Sequence, residues 1–347
     1  MGKVMNTHII KEYLAKHSPS GTSQPIQLIA VILIVTLLAL MPVVATLTEQ
    51  SFYLTIVTRI MIFSLAALGL NLILGFGAMV SLGHAMYVGI GAYSVGILSF
   101  HGIGSGWAHL GIALCVGTLS ALLVGAISLR VTGVAFIMIT LAFAQMFYFL
   151  VVGLREYGGD DGLPISSQSN FGIFSLTNPT TLYYTVFAIL MVTLYGFHRL
   201  VNARFGMLIR GCKSNQRRML ALGFPVFRYK LTAYVLSAQV CVVAGVLLAN
   251  LTRFTSPSYM SWSASGELIV MVVLGGIGTL IGPVVGAATW LILEELLTSF
   301  RTALPWGIDA MIRDYWLAVF GILIIVVTLT LKHGLYGTLL RRREHKQ

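Results

Sequence analysis

The chain has 347 residues, 57% of them hydrophobic and only 10% charged, with 36 glycines and a net charge of +11, where a soluble domain carries about 25% charged residues. That composition excludes a soluble core, and a mean hydropathy of +0.89 points the same way. The basic residues gather mainly at Lys3 to Lys16, across 199–230 and at Lys332 to Lys346, a distribution that fits membrane topology and anionic lipid rather than nucleic acid.

Residues 1–25 form a polar, basic N-terminal segment expected to be cytoplasmic. The apolar run from Ile26 to Leu47 is longer than a signal-peptide core and lacks a small-residue cleavage site, so it is expected to persist as a first helix. A hydrocarbon core needs roughly 20 apolar residues per helix. The further spans on that measure are 52–74, 79–100, 107–129, 133–153, 182–198, 231–251 and 314–331, and 332–347 is a basic cytoplasmic tail. The membrane domain thus covers 26–331.

Between Arg199 and Lys230 lie eight Lys or Arg and no Asp or Glu. Basic loops stay on the cytoplasmic side, and two stretches here, Asn202 to Met207 and Ser214 to Gly223, are long enough for short helices. Alternation then puts 154–181, with Arg155, Glu156, Asp160 and Asp161, outside, together with 252–266. Arg341 to Arg343 place the C-terminus inside with the N-terminus, so the number of crossings is even. The awkward region 267–298 must therefore cross twice, bent near Gly275 to Pro283, giving an all-α polytopic protein of about ten transmembrane helices. Eight follow if this region only dips into the membrane and another weak span is lost.

Irregular backbone at membrane depth is tolerated only where protein or a water-lined cavity covers it. Two glycine-rich segments qualify: Gly75 to Gly91, which includes Ser81 and His84, and Gly275 to Gly286. Broken helices in corresponding halves are expected near a transporter's pathway. Gly278, Gly282 and Gly286 are spaced four apart and are expected to share one helix face for close packing.

Polar groups within the spans are Arg59, Asn71, His84, Gln145, Gln239, Glu294 and Glu295. A charge at the bilayer centre costs about 2.5–3.5 kcal/mol. Arg59 can snorkel to the outer surface, and Glu294 and Glu295 are expected near the outer end of their short pass. With no carboxylate near His84 in the first half, proton coupling has little support. Cys115, Cys212 and Cys241 supply neither a disulfide framework nor a paired metal motif, so no metal site is expected. Enzyme motifs are absent, and the P-loop-like run Gly206 to Ser214 fails because Cys212 separates Gly211 from Lys213-Ser214. If ATP is used, another polypeptide must hydrolyse it.

Leu70-Asn71-Leu72-Ile73-Leu74-Gly75, then Val80-Ser81-Leu82-Gly83-His84-Ala85 and Gly89-Ile90-Gly91-Ala92-Tyr93, resemble the first signature of the branched-chain amino acid ABC importer permeases, M-type. Thr140-Leu141-Ala142-Phe143, Gly158 to Leu163, Phe205-Gly206, Ala221 to Phe224 with Tyr229-Lys230-Leu231, and Gly266-Glu267 through Met271 to Pro283 follow in the family's order. The resemblance runs from about Ile60 to Leu296.

It implies a multi-pass subunit of the bacterial inner membrane that holds no cofactor itself, ATP and magnesium being bound by partner chains. Those partners would be a second homologous permease, two ATP-binding subunits and a periplasmic substrate-binding protein. In the family a Glu-Asn-Glu, a short helix and a Gly dock on the ATPase. The corresponding stretch here runs from Ser214 through Asn215, Gln216, Arg217 and Arg218 to Gly223, with both acidic positions replaced. An amphipathic substrate such as leucine, isoleucine or valine needs polar groups in an apolar channel. Asn71, Ser81, His84 and Gln145 are the pathway candidates, and each also suits interhelical hydrogen bonding. Related permeases carry urea, short amides or other amino acids, and a stand-alone secondary transporter is the reading from another class.

Overall fold

The computed structural model describes residues 51–172 and 174–298, with isolated positions at 38, 41–42, 318, 320–322, 325 and 334–335. Apart from those positions, the expected helix at 26–47, the span at 314–331 and the two terminal segments lie outside the described residues.

Ten α-helices carry the described fold. They are α1 (Ser51–Asn71), α2 (Ala85–Phe100), α3 (Gly106–Ser128), α4 (Val134–Gly153) and α5 (Pro179–Asn202), then α6 (Arg204–Ser214), α7 (Gln216–Ala221), α8 (Val226–Thr252), α9 (Trp262–Gly275) and α10 (Gly282–Thr298). One antiparallel pair of two-residue strands, β1 (Leu163–Pro164) and β2 (Phe254–Thr255), is the only ladder among the described residues. Among them, five helices are long and apolar enough to cross a membrane: α1 with its π-helical extension, α3, α4, α5 and α8. The protein is therefore an all-α polytopic membrane protein.

Helix α2 corrects one expected boundary. It begins at Ala85 rather than at 79, because Gly77 to His84 is irregular. Its 16 residues and the 14 of α9 rise only about 24 and 21 Å at 1.5 Å per residue, short of a hydrocarbon core of about 30 Å.

Helix α8 is the central element, packed on α1, α2 and α3. Two glycines let α2 and α8 approach closely: a β-carbon at Gly91 would strike the Val242 carbonyl, and one at Gly245 would strike that of Val88. Membrane helices associate through such small-residue contacts because lipid supplies no hydrophobic driving force between them.

The connections sort to opposite ends of the bundle. At one end the 154–178 loop is joined to the α8–α9 connection by the β1–β2 pair and by Ile165 N–H donating to Arg253 O (2.9 Å). Buried His109 pins the same loop to α3: Nδ1 lies 2.7 Å from Ser169 Oγ and Nε2 2.7 Å from Ile103 O. At the other end α6, the start of α8, the α3–α4 turn and Gly77 to Val80 surround one cavity of about 350 Å³.

Candidate functional site

Two interruptions of helix meet near the end that carries the basic loop. Helix α1 passes into a π-helical turn, Leu72–Phe76, a form that recurs at functional sites, and the chain then runs irregularly to His84. The second break, 276–281, separates α9 from α10. Asn71 joins them. Its Nδ2 donates to Thr279 O (2.8 Å) and its Oδ1 accepts from Gly278 N–H (3.0 Å), while the residue itself is 1% exposed. Both ends of the amide thus satisfy backbone groups that the break leaves without helical partners.

The second break depends on missing side chains. Gly278 sits at φ 78° inside it and backs onto Gly75. The expectation that Gly278 shares a helix face with Gly282 and Gly286 is corrected, since α10 begins only at Gly282. Gly282 and Gly286 face the end of α9: a β-carbon at Gly286 would strike Met271 O, and one at Gly275 would strike Gly282 O. Helices α9 and α10 therefore form a hairpin whose backbones touch.

The first break is held by side chains. Ser237 Oγ donates to Gly69 O (2.5 Å), which uses its one proton, so His84 Nε2, 2.9 Å away, must be the donor in their contact. Burial with no acid among its described contacts favours the neutral ring, in which His84 Nδ1 is the acceptor, facing Ser81 Oγ at 3.0 Å. Tyr234 accepts from Tyr87 Oη–H (3.1 Å). The rings of Tyr87 and Tyr234 pack edge-on against the imidazole at 5.4 and 5.2 Å. His84 is thus a neutral ring with both nitrogens committed, fully buried with Ser81 and Ser237. Ala85 N–H donates to Ser265 Oγ (3.1 Å), tying the start of α2 to α9.

The basic loop folds as two helices. The first differs from the expected Asn202 to Met207: Asn202 ends α5, and α6 runs Arg204–Ser214. Asn215 then caps α7, its Oδ1 accepting from Arg218 N–H (3.0 Å), the usual task of an N-cap asparagine. Gly223 closes the helix at φ 83°, with Gly223 N–H on Leu220 O and Phe224 N–H on Met219 O, the paired bonds of a Schellman cap. No residue of α7 is buried. Arg217 and Arg218 stand exposed beside Leu220 and Leu222, which are 53% and 65% exposed.

This loop is fastened to the breaks. Lys213 Nζ donates to Gly75 O (2.8 Å) at the end of α1, where a cation also meets the negative end of the helix dipole. Lys230 Nζ donates to Gln216 Oε1 (2.7 Å). Burial pushes the Cys212 thiol above its ordinary range, so it is no ready nucleophile.

Of the four pathway candidates, Ser81 and His84 share one hydrogen-bonded cluster and Asn71 clamps the neighbouring break. Gln145, half-buried on α4, has no hydrogen bond to either among the described residues. Sequence reasoning missed Ser237, Tyr234, Ser265 and Thr279 as partners, and Lys213 as the anchor of the loop. Only their position opposite glycine-rich segments could have drawn attention to them.

The model of the family described as "Branched-chain amino acid transport system / permease component" matches residues 52–328. The chain belongs to that family. It is 28% identical over 271 residues to the high-affinity branched-chain amino acid transport system permease protein LivM of Escherichia coli, covering 71% of this chain and 64% of that one. The chain thus spans just under two thirds of the length of that relative. It is 25% identical over 298 residues to LivH of the same organism, with 79% and 91% covered. It is 21% identical over 307 residues to the probable LivM of Methanocaldococcus jannaschii, with 77% and 88% covered. No solved structure matches. The matched segment takes in α1's apolar run, both breaks and the basic loop, so the geometry above lies within the part the permease family shares.

Proposed function

We propose that this chain is a permease subunit of a binding-protein-dependent ABC importer that carries branched-chain amino acids across the bacterial inner membrane. Its partners in this reading are a second homologous permease, two ATP-binding subunits and a periplasmic binding protein, and ATP and magnesium belong to the ATP-binding chains. Helix α7 is the docking element, cytoplasmic with both termini. Helices α9 and α10 run in from the outer side and back, which with the segments at 26–47 and 314–331 makes ten crossings.

The observation that carries this reading is the continuous connection from an exposed basic helix to the membrane breaks. From α6 it passes through Lys213 to Gly75, and through Asn71 to Gly278 and Thr279. Movement imposed on the loop has a direct path to the hairpin of α9 and α10. Alternating access follows if ATP-driven closure of the partner chains pushes α7. Replacing the family's two acids by Ser214 and Gln216, beside Arg217 and Arg218, favours a more acidic docking groove on the ATPase. The neutral, doubly hydrogen-bonded His84 argues against a proton-coupled secondary transporter, which would need an exchangeable carrier with acidic neighbours.

Co-purification from the native membrane tests this. The tagged chain is expected to bring down an ATPase and a second permease, and Arg217→Glu with Arg218→Glu is expected to lose the ATPase while keeping the permease. Recovery of the chain alone, under conditions that hold a known importer together, would reject the importer reading.

A further inference from the structure

At the end of α8 away from the basic loop, a second cavity, half open to the surface, lies between α1, α2, α8 and α9. It has a volume of about 240 Å³, below the range of about 300–1,000 Å³ that drug-sized ligands occupy, so its guest is a single small molecule. Its lining is apolar at Ile62 and Ala66 of α1, Val88 of α2 and Leu248 of α8, and carries charge of both signs at Arg59 on α1 and Glu267 on α9.

Neither charge is firmly held. Arg59 makes one ion-pair contact with Glu294, Nη2 to Oε1 at 3.5 Å, with its side chain 45% exposed. A contact that long and that open is weak. Glu267 is exposed and, among the described residues, has neither a hydrogen bond nor an ion pair of its own. Arg59 and Glu267 thus offer one charge of each sign at a cavity otherwise lined by apolar and hydroxyl groups. An isolated cation would leave the apolar lining unused, and an isolated carboxylate would meet Glu267.

We propose that this cavity is a site for a zwitterionic amino acid with an aliphatic side chain. Its α-ammonium is received by Glu267, its α-carboxylate by Arg59 as the guanidinium turns from Glu294, and its side chain by Ile62, Ala66, Val88 and Leu248. The site lies on the side where a periplasmic binding protein would deliver its ligand. It shares α9 with the hairpin and touches α2 at Ala85, whose N–H is held by Ser265 of α9. Occupancy can thus be felt at both breaks. The inference rests on the importer reading above and assigns that reading's substrate contacts to residues other than Asn71, Ser81, His84 and Gln145.

The test uses the intact importer purified with its partner chains, reconstituted in proteoliposomes with saturating binding protein and labelled leucine. Glu267→Gln and Arg59→Gln are each expected to lower uptake at least tenfold while the complex still assembles and hydrolyses ATP. Uptake within twofold of wild type in both variants would overturn the proposal. Failure of the wild-type complex to carry any amino acid would instead count against the importer reading. A second measurement serves if either variant fails to assemble: Ala264→Cys in a Cys115→Ala chain, modified by a charged methanethiosulfonate. Leucine is expected to slow modification at least threefold, and 4-methyl-2-oxopentanoate, which has the same skeleton without the ammonium, is expected not to. Equal protection by both, or by neither, would overturn the assignment.

Discussion

The two breaks solve one problem by opposite means. Both must satisfy irregular backbone where lipid offers no hydrogen bonds. Gly77 to His84 is wrapped in side chains: an imidazole bonded to two serine hydroxyls, with two hydrogen-bonded tyrosines packed edge-on against its ring. The 276–281 break is instead made by removing side chains, so that α9 and α10 press backbone to backbone, with Asn71 as its polar clamp from another helix. A side-chain network can lose a member and rearrange, whereas a backbone contact has nothing to give. The second break should therefore be the more brittle.

The largest expected effect is at Gly286. Valine there must displace Met271 O and Gly275 N, which are fixed by helix hydrogen bonds, and overpacking a tight contact costs about 1–3 kcal/mol or more. Gly286→Val should assemble poorly and lower the thermal midpoint in detergent more than any single change in the first break. Near-normal stability would mean that the hairpin is looser than drawn.

A smaller loss is expected for Ser237→Ala, which removes the acceptor of His84 Nε2 and the donor to Gly69 O. Polar contacts between membrane helices average about 0.6 kcal/mol and reach about 1.7, so the thermal midpoint should fall by only a few degrees, with the complex intact. A fall as deep as that of Gly286→Val would erase the distinction between the breaks.

How far these features could be read in sequence follows from their physics. The helices of 52–74, 107–129, 133–153 and 231–251 were legible because crossing a membrane demands a long apolar run, and length is local information. The end of α7 at Gly223 was legible for the same reason, since a left-handed cap is written in one residue. Partnerships were not. Asn71 meets Thr279 across 208 positions and His84 meets Ser237 across 153, and nothing near either residue names the other. The spacing of Gly278, Gly282 and Gly286 misled because a helical period was assumed through a stretch where Gly278 takes a left-handed turn.

The smallest effect on stability, and the most telling for function, is expected at Lys213. Its ammonium holds Gly75 O at the end of α1, and a cation at a helix C-terminus is worth about 0.3–1 kcal/mol, so Lys213→Gln should leave the thermal midpoint nearly unchanged. Gly75 backs onto Gly278, which Asn71 also grips, so the lost bond is the one that fastens the loop to the rigid break. In the reconstituted importer, ATP hydrolysis should persist while leucine carried per ATP falls severalfold, and Lys213→Arg should restore part of it. The comparison explains the asymmetry: a compliant connection at this end would absorb the loop's movement before it reached the hairpin. An unchanged ratio of uptake to hydrolysis would show that the movement reaches the hairpin by another route, through Lys230 and α8.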